Sequence, residues 1–237
     1  MAGGHPGTSH AFGSERQELV AYGRRLVRDD LVDGMSGNLS VRAGDLIAIT
    51  PSGVAYDEME PADICLVRPD GGTTAGGGTA AGGGTAAGGG RPSTETPMHL
   101  AVYQATDAAA VVHTHSPFVV ALSTVVDELP AVHYAMAGLG GLVRVVPYTR
   151  FGTPELARTA VAGLAGRTAV ILGNHGALTY GLTLAQAYDR ARTLEWLARV
   201  YWHARLAGSP RTLTPAQLDE VREAARALRY GERDPVG

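Results

Sequence analysis

Hydrophobic and polar positions follow two rhythms along this chain. In SERQELVAYGRRLVRDDLV, residues 14–32, apolar residues recur at helical spacing, and Ser14 with Glu and Gln behind it reads as a capped start. In GMSGNLSVRAGDLIAITPSG the runs NLSVR and LIAIT are short strands, and AGD between them predicts a hairpin. The connector YDEMEPA leads to a further strand, DICLVRP. ETPMHLAVYQAT predicts a helix, AVVHTHS a strand, and PFVVALSTVV a helix opened by Pro117. GLVRVVPY and TAVILGNHGALTY predict further strands. Three later helices carry start signals. Thr153 stands as a cap before Pro154, and Thr183-Leu-Ala-Gln186 and Thr214-Pro-Ala-Gln217 fit the capping box. In the segment 184–206, Leu184, Ala187, Ala191, Leu194, Ala198 and Tyr201 form one apolar stripe. Short strands mixed with helices throughout predict a single layered α/β or α+β domain.

Two stretches have no such rhythm. Residues 1–13, rich in Gly, Pro, Ser and His, read as a disordered tail. Residues 71–90, GGTTAGGGTAAGGGTAAGGG, contain a formal G-x-G-x-x-A match. A dinucleotide fingerprint must open a helix inside a βαβ unit. Glycine triplets every six residues cannot propagate one, since each glycine costs about 1 kcal/mol relative to alanine. The segment is expected to be a flexible loop insert that marks no domain boundary.

Composition narrows the function. The chain has 237 residues, 45% hydrophobic, which suits one globular domain with a sizeable core. The formal charge of −3 and the lack of a basic run argue against nucleic acid or a membrane surface as partner. No run approaches the ~18 apolar residues of a membrane span, and the N-terminus has no apolar signal core, so a soluble cytoplasmic protein is expected. All 20 basic residues of the Lys and Arg class are arginine. Without lysine, Schiff-base chemistry and a P-loop are excluded. The single cysteine, Cys65, forms no intrachain disulfide and reads as a small buried hydrophobe.

The remaining candidate chemistry centres on VVHTHSP, residues 111–117. Side chains two apart on a strand share a face, so His113 and His115 project together. They can chelate one metal ion, or they can be a partly buried pair satisfied by hydrogen bonds. His175, between Asn174 and Gly176, either completes a three-histidine set or serves as a turn residue. Glu95, in RPSTETPMH, is either a first-turn glutamate favoured by the helix dipole or a carboxylate base beside a metal. His99 and His133 match nothing that carries chemistry and read as packing or surface residues.

The order G-x-x-GN-L-SVR, ITPSG, PSTE, VVHTHS and a lone NHG resembles the class II aldolase/adducin family. The resemblance runs from about residue 15 to residue 231 apart from the insert. It implies a single three-layer α/β/α domain over 14–231 with a central, mostly antiparallel mixed sheet, followed by a tail at 232–237. VHYAMAG, VPYTRFGTPEL and ALRYG bring the chain nearest, within that family, to the aldolases of L-fuculose 1-phosphate. By that resemblance His113, His115 and His175 hold a divalent metal, zinc being the expected ion. Glu95 is a fourth ligand until substrate displaces it and it becomes the base. Asn38, Ser52, Gly53, Ser93 and Thr94 form a phosphate pocket, Tyr134 is the acid at the aldehyde oxygen, and Tyr230 closes over the site from the C-terminus.

The implied reaction is reversible cleavage of a ketose 1-phosphate to dihydroxyacetone phosphate and an aldehyde through a metal-stabilised enediolate. The implied assembly is a homotetramer with the site near a subunit interface, where Tyr134 would serve a neighbour's metal. The same scaffold also serves pentulose-phosphate 4-epimerases, which usually carry Asp where Glu95 stands, pentulose-phosphate dehydratases, and non-catalytic adducin-like modules, which need not keep the ligands. Met35, Ser36 and Asn174 depart from the aldolase pattern at positions that touch substrate fit.

Overall fold

A computed structural model describes residues 12–72 and 90–228. Most of the N-terminal tail, residues 73–89 of the insert, Tyr230 and the C-terminal tail lie outside the described residues.

Eight strands form one sheet: β1 (Asn38–Ala43), β2 (Leu46–Ile49), β3 (Cys65–Val67), β4 (Ala110–Thr114), β5 (Glu128–Leu129), β6 (Val143–Val146), β7 (Ala169–Leu172) and β8 (Gly176–Gly181). Their order across the sheet is β3-β2-β1-β4-β8-β7-β6-β5. Every neighbouring pair is antiparallel except β6 and β7, which run parallel. This is the mostly antiparallel mixed sheet expected from the resemblance.

Helices cover both faces, which is why the central strands read as nearly unbroken apolar runs. Alternate residues of β4 show the division. Ala110 and Val112 pack towards α1 (Gly13–Arg28) and α5 (Leu184–Ala207), against Leu19, Leu26, Ala187 and Tyr188. Val111 points the other way, to α2 (Thr96–Ala105) and α4 (Pro154–Gly163), against Met98, Val102, Leu156 and Ala160. A third cluster joins β7 and β8 to α3 (Pro117–Ser123), α5 and α6 (Pro215–Ala227) through Ile171, Ala177, Val119, Leu194 and Leu218. The expected stripe on α5 is buried at all six positions. Burial of each large side chain there contributes about 1.5–3 kcal/mol.

The helix ends test the capping signals. Thr153 and Thr214 cap α4 and α6, and Gln217 completes the box at α6. Thr183 caps α5, but the Gln186 side chain accepts from Leu182 N–H, so that box is displaced by one residue. Ser14 does not cap α1. Its hydroxyl bonds the Glu15 carboxylate, and the helix starts at Gly13 behind Phe12.

TAVILGNHGALTY folds as β7, a tight turn and β8, with Asn174 in the left-handed region at φ 53°. The two-residue β5 and a 3-10 segment, Tyr134–Leu139, had no sequence signal. Among the described residues, no helix is long and apolar enough to cross a membrane.

Candidate active site

Three strands and one helix start meet at a single point. His113 and His115 lie at the C-terminal end of β4 and just beyond it, on the face that carries Val111. His175 enters from the β7–β8 turn, and Glu95 is the N-cap residue of α2. Its carboxylate caps nothing and turns instead to the histidines. Glycine makes the close approach possible. A Cβ on Gly176 would stand 2.1 Å from Thr114 O and 2.9 Å from the His115 ring. Gly37, at φ +73°, lets β1 start beside the His113 carbonyl, where a Cβ would lie 2.6 Å from that oxygen.

The three imidazoles form a near-symmetric propeller. Ring centroids are 4.8, 4.9 and 4.9 Å apart, with planes at 74–75°. One ligand atom from each histidine and one from Glu95 all lie within 4.8 Å of one another. His113 Nδ1 donates to Ala177 O at 2.8 Å, which turns Nε2 inward. That Nε2 is 2.9 Å from His115 Nε2 and 3.0 Å from Glu95 Oε2. Glu95 Oε1, 3.3 Å from His175 Nε2, is buried without a well-aligned hydrogen bond.

Inward-facing nitrogen lone pairs and a carboxylate in one buried spot need a cation among them. The donor set of three imidazoles and one carboxylate suits a divalent ion such as zinc. The protein's own charges partly answer the need. Burial works against a charged His113, but the Glu95 charge, the hydrogen bond to Glu95 and the Ala177 carbonyl together outweigh it and raise the histidine's pKa. Burial pushes the Glu95 carboxyl up, yet His113, the Asn38 amide and His175 together hold it well below the usual range. Burial, then the charge of His113, brings His115 down to about 3 and His175 to about 4.

Beside this cluster opens a hollow of about 320 Å³. It is lined by Asn38, Ser52, Gly53, Ser93, Thr94, Glu95, His115 and His175, with the exposed apolar side chains of Met35 and Phe151 at its edge. Two backbone bonds tie the hydroxyl-bearing loops together, Ser52 N–H to Arg91 O at 2.7 Å and Ser93 N–H to Thr50 O at 3.3 Å. All five residues expected at a phosphate pocket are thus brought together.

Asn38 is more committed than that role requires. Its Nδ2 donates to Glu95 Oε2 at 3.0 Å, and its Oδ1 faces His99 Nε2 at 2.5 Å. His99, which the sequence left as packing, is fully buried and continues to Ser40 and Tyr103. Its position four residues after Glu95 on α2 was the available signal.

Tyr134 is not at this site. It stands 54% exposed on the 3-10 segment and lines a separate hollow of about 700 Å³ with residues of α5 and α6. Its ring packs on His133, with centroids 4.3 Å apart. Cys65 is buried and free, its thiol pushed up to about 12 by burial, which makes it inert.

Residues 17–202 match the family described as Class II Aldolase and Adducin N-terminal domain. The chain is 36% identical over 222 residues to 5-deoxy-D-ribulose 1-phosphate aldolase of Bacillus thuringiensis serovar kurstaki, covering 92% of this chain and 98% of that protein. It is 34% identical over 187 residues to L-fuculose phosphate aldolase of Escherichia coli K12, covering 78% and 81%. A solved L-fuculose 1-phosphate aldolase superposes with a TM-score of 0.83 at 35% identity, over 93% of this chain and all of that one.

Proposed function

The chain belongs to the class II aldolase and adducin family and is a lyase of the aldolase type, and on that premise we propose that it cleaves a deoxyketose 1-phosphate reversibly to dihydroxyacetone phosphate and an aldehyde. The observation that carries this reading is the convergence of Glu95 with three imidazoles at the wall of a hollow edged by hydroxyl groups.

His113, His115 and His175 would hold the divalent ion, zinc by the donor set, with Glu95 as a fourth ligand in the resting site. A bound ion would supply a Lewis acid for the substrate's carbonyl and hydroxyl oxygens. Ser52, Ser93 and Thr94 offer hydroxyl donors, and Gly53 a backbone N–H, to the phosphate. Asn38 keeps one N–H for it beyond the one given to Glu95. Anchored in this way, the substrate presents the C–H next to its carbonyl to Glu95. A carboxylate with a depressed pKa is ionised at neutral pH and ready to accept a proton. That abstraction, from dihydroxyacetone phosphate, belongs to synthesis; in cleavage the roles reverse, and Glu95 in its protonated form gives a proton to the same carbon after the carbon–carbon bond has broken.

Tyr134 is the proposed partner at the aldehyde oxygen, donating in synthesis and accepting in cleavage. Tyr134 lines a different hollow of its own chain, and the proposal is that it acts on a second copy, in a homotetramer. Tyr230 is proposed to close over the site.

Two substrates are proposed, L-fuculose 1-phosphate and 5-deoxy-D-ribulose 1-phosphate, from the relatives' names. Both release an aldehyde that ends in a methyl group, and Met35 and Phe151 give the hollow an apolar edge for it. The second is favoured by the longer match to its aldolase.

The test is proton exchange of dihydroxyacetone phosphate in heavy water, followed by NMR, with and without a chelator. Stereospecific loss of one carbon-bound proton, abolished by the chelator, is expected. No exchange from metal-loaded enzyme, together with loss of water from a pentulose 1-phosphate, would replace the aldolase with a dehydratase.

A further inference from the structure

Behind the Glu95 carboxylate runs a line of polar side chains, buried from Asn38 to Tyr103, and beyond Asn38 the proposed reaction leaves it unused. On β1, Asn38, Ser40 and Arg42 stand at alternate positions and share a face. At the start of α2 and along it, Glu95, His99 and Tyr103 stand four apart and share a face. Four helical residues rise about 6 Å and two strand residues about 6.8 Å, so the two series stay in step.

Asn38 Nδ2 meets Glu95 Oε2 at 3.0 Å, and Asn38 Oδ1 meets His99 Nε2 at 2.5 Å. His99 Nδ1 meets Ser40 Oγ at 2.7 Å, which meets the Tyr103 hydroxyl at 2.9 Å. Arg42 closes the far end. Its guanidinium lies 4.9 Å from the Tyr103 ring centroid and donates to Tyr103 O at 2.9 Å.

Chemistry gives this line one direction. An ionised carboxylate only accepts, so Asn38 presents its NH2 group to Glu95. The amide oxygen then faces His99, whose Nε2 must carry the proton. Both ring nitrogens bond uncharged groups in a fully buried place, which favours the neutral ring. Nδ1 is therefore an acceptor and takes the Ser40 hydroxyl proton, and Ser40 accepts from Tyr103. Every donor points towards Glu95, and aligned bonds of this kind strengthen one another.

We propose that His99, held by Ser40 and Tyr103, is a positioning residue that locks the Asn38 amide in the one orientation that donates to Glu95. The lock matters because a flipped amide would aim its oxygen at a buried carboxylate oxygen and leave that oxygen with only the His113 ring beside it. The consequence for catalysis rests on the reading of Glu95 as the base.

The test pairs kinetics with histidine NMR on the full-length enzyme. His99→Leu removes the donor to Asn38 and is expected to lower kcat about 10–100-fold, with a smaller rise in KM for the ketose phosphate from the single phosphate donor that Asn38 supplies. His99→Gln places an amide nitrogen where Nε2 stood and is expected to recover most of that loss. Equal losses in the two variants would mean that the side chain only fills space, and no loss in either would mean that the lock is idle. Both results overturn the proposal.

In the 15N spectrum of the wild-type protein, the His99 signal is assigned by its loss in His99→Gln or its shift in Ser40→Ala. The expected ring is neutral with its proton on Nε2. A proton on Nδ1, or a charged ring at neutral pH, overturns the lock, and either variant that folds suffices for the assignment. This spectrum does not depend on the reaction catalysed, so a failure of the aldolase reading is separable from a failure of the lock.

Discussion

Glu95, Asn38, His99 and His113 are all less than a tenth exposed, and each is bonded by a side chain or carbonyl from another element. Tyr134 is 54% exposed on a short 3-10 segment, with its ring against the neighbouring His133. The first region is finished within one chain. Its ligand atoms converge without help, and a carboxylate that must hold a cation and then take a proton gains from being fixed in advance. The second region is not finished. The proposed proton donor sits on an open surface, as expected of a group whose partner lies outside the chain.

The sharpest way to break this contrast is Glu95→Gln. The shape of the side chain is kept and the base is lost, so exchange of dihydroxyacetone phosphate protons should fall about 10²–10⁴-fold while circular dichroism is unchanged. Surviving exchange would put the base elsewhere and leave the buried end with only a structural task.

Tyr134→Phe should act on the other half of the reaction. Proton exchange should persist, while carbon–carbon cleavage falls about 10²-fold. Mixing Glu95→Gln copies with Tyr134→Phe copies should restore part of the cleavage if Tyr134 serves a neighbour. No recovery on reassembly would mean that the two regions belong to one chain's site after all.

The smallest effect concerns acid stability of the metal-free protein. His115 and His175 are held down to about 3 and about 4, so below their ordinary 6.5 the unfolded chain takes protons that these two rings refuse in the fold. His113, whose pKa is raised, works the opposite way. Burial brings His99 down to about 3 as well, and three rings outweigh one, so the melting temperature should fall as pH drops from about 6.5 to about 4. A flat profile over that window would mean that the cluster is not strained towards a cation. Zinc added at pH 7 should raise the melting temperature, because it binds only the folded arrangement.

Much of the buried region was legible because its spacings are local. His113 and His115 two apart on an apolar run had to share a face, and the α5 stripe had to be buried. The hydroxyl residues around Glu95 followed from family resemblance, and the fold brings them to one hollow. What local reading missed lies in pairing. Ser14 looks like a cap, but the backbone had already turned into a helix at Gly13. His99 looks like packing until β1 sets Asn38 and Ser40 against it. Asn38 looks like a phosphate donor alone until its amide is seen between Glu95 and His99.

The sequence by itself determined the longer elements, the shared faces and the types of ligand, since these depend on periods of 2 and 3.6 residues and on side-chain chemistry. Only the tertiary structure decided which faces meet. The antiparallel pairing of β1 with β4 sets Asn38 opposite His113, the turn after β7 delivers His175, and the start of α2 aims Glu95 between them. The bonds that fix this meeting join residues 57 positions apart for Asn38 and Glu95 and 64 for His113 and Ala177, and sheet order and helix placement over such distances are fixed by burial of the two faces together rather than by any local rule.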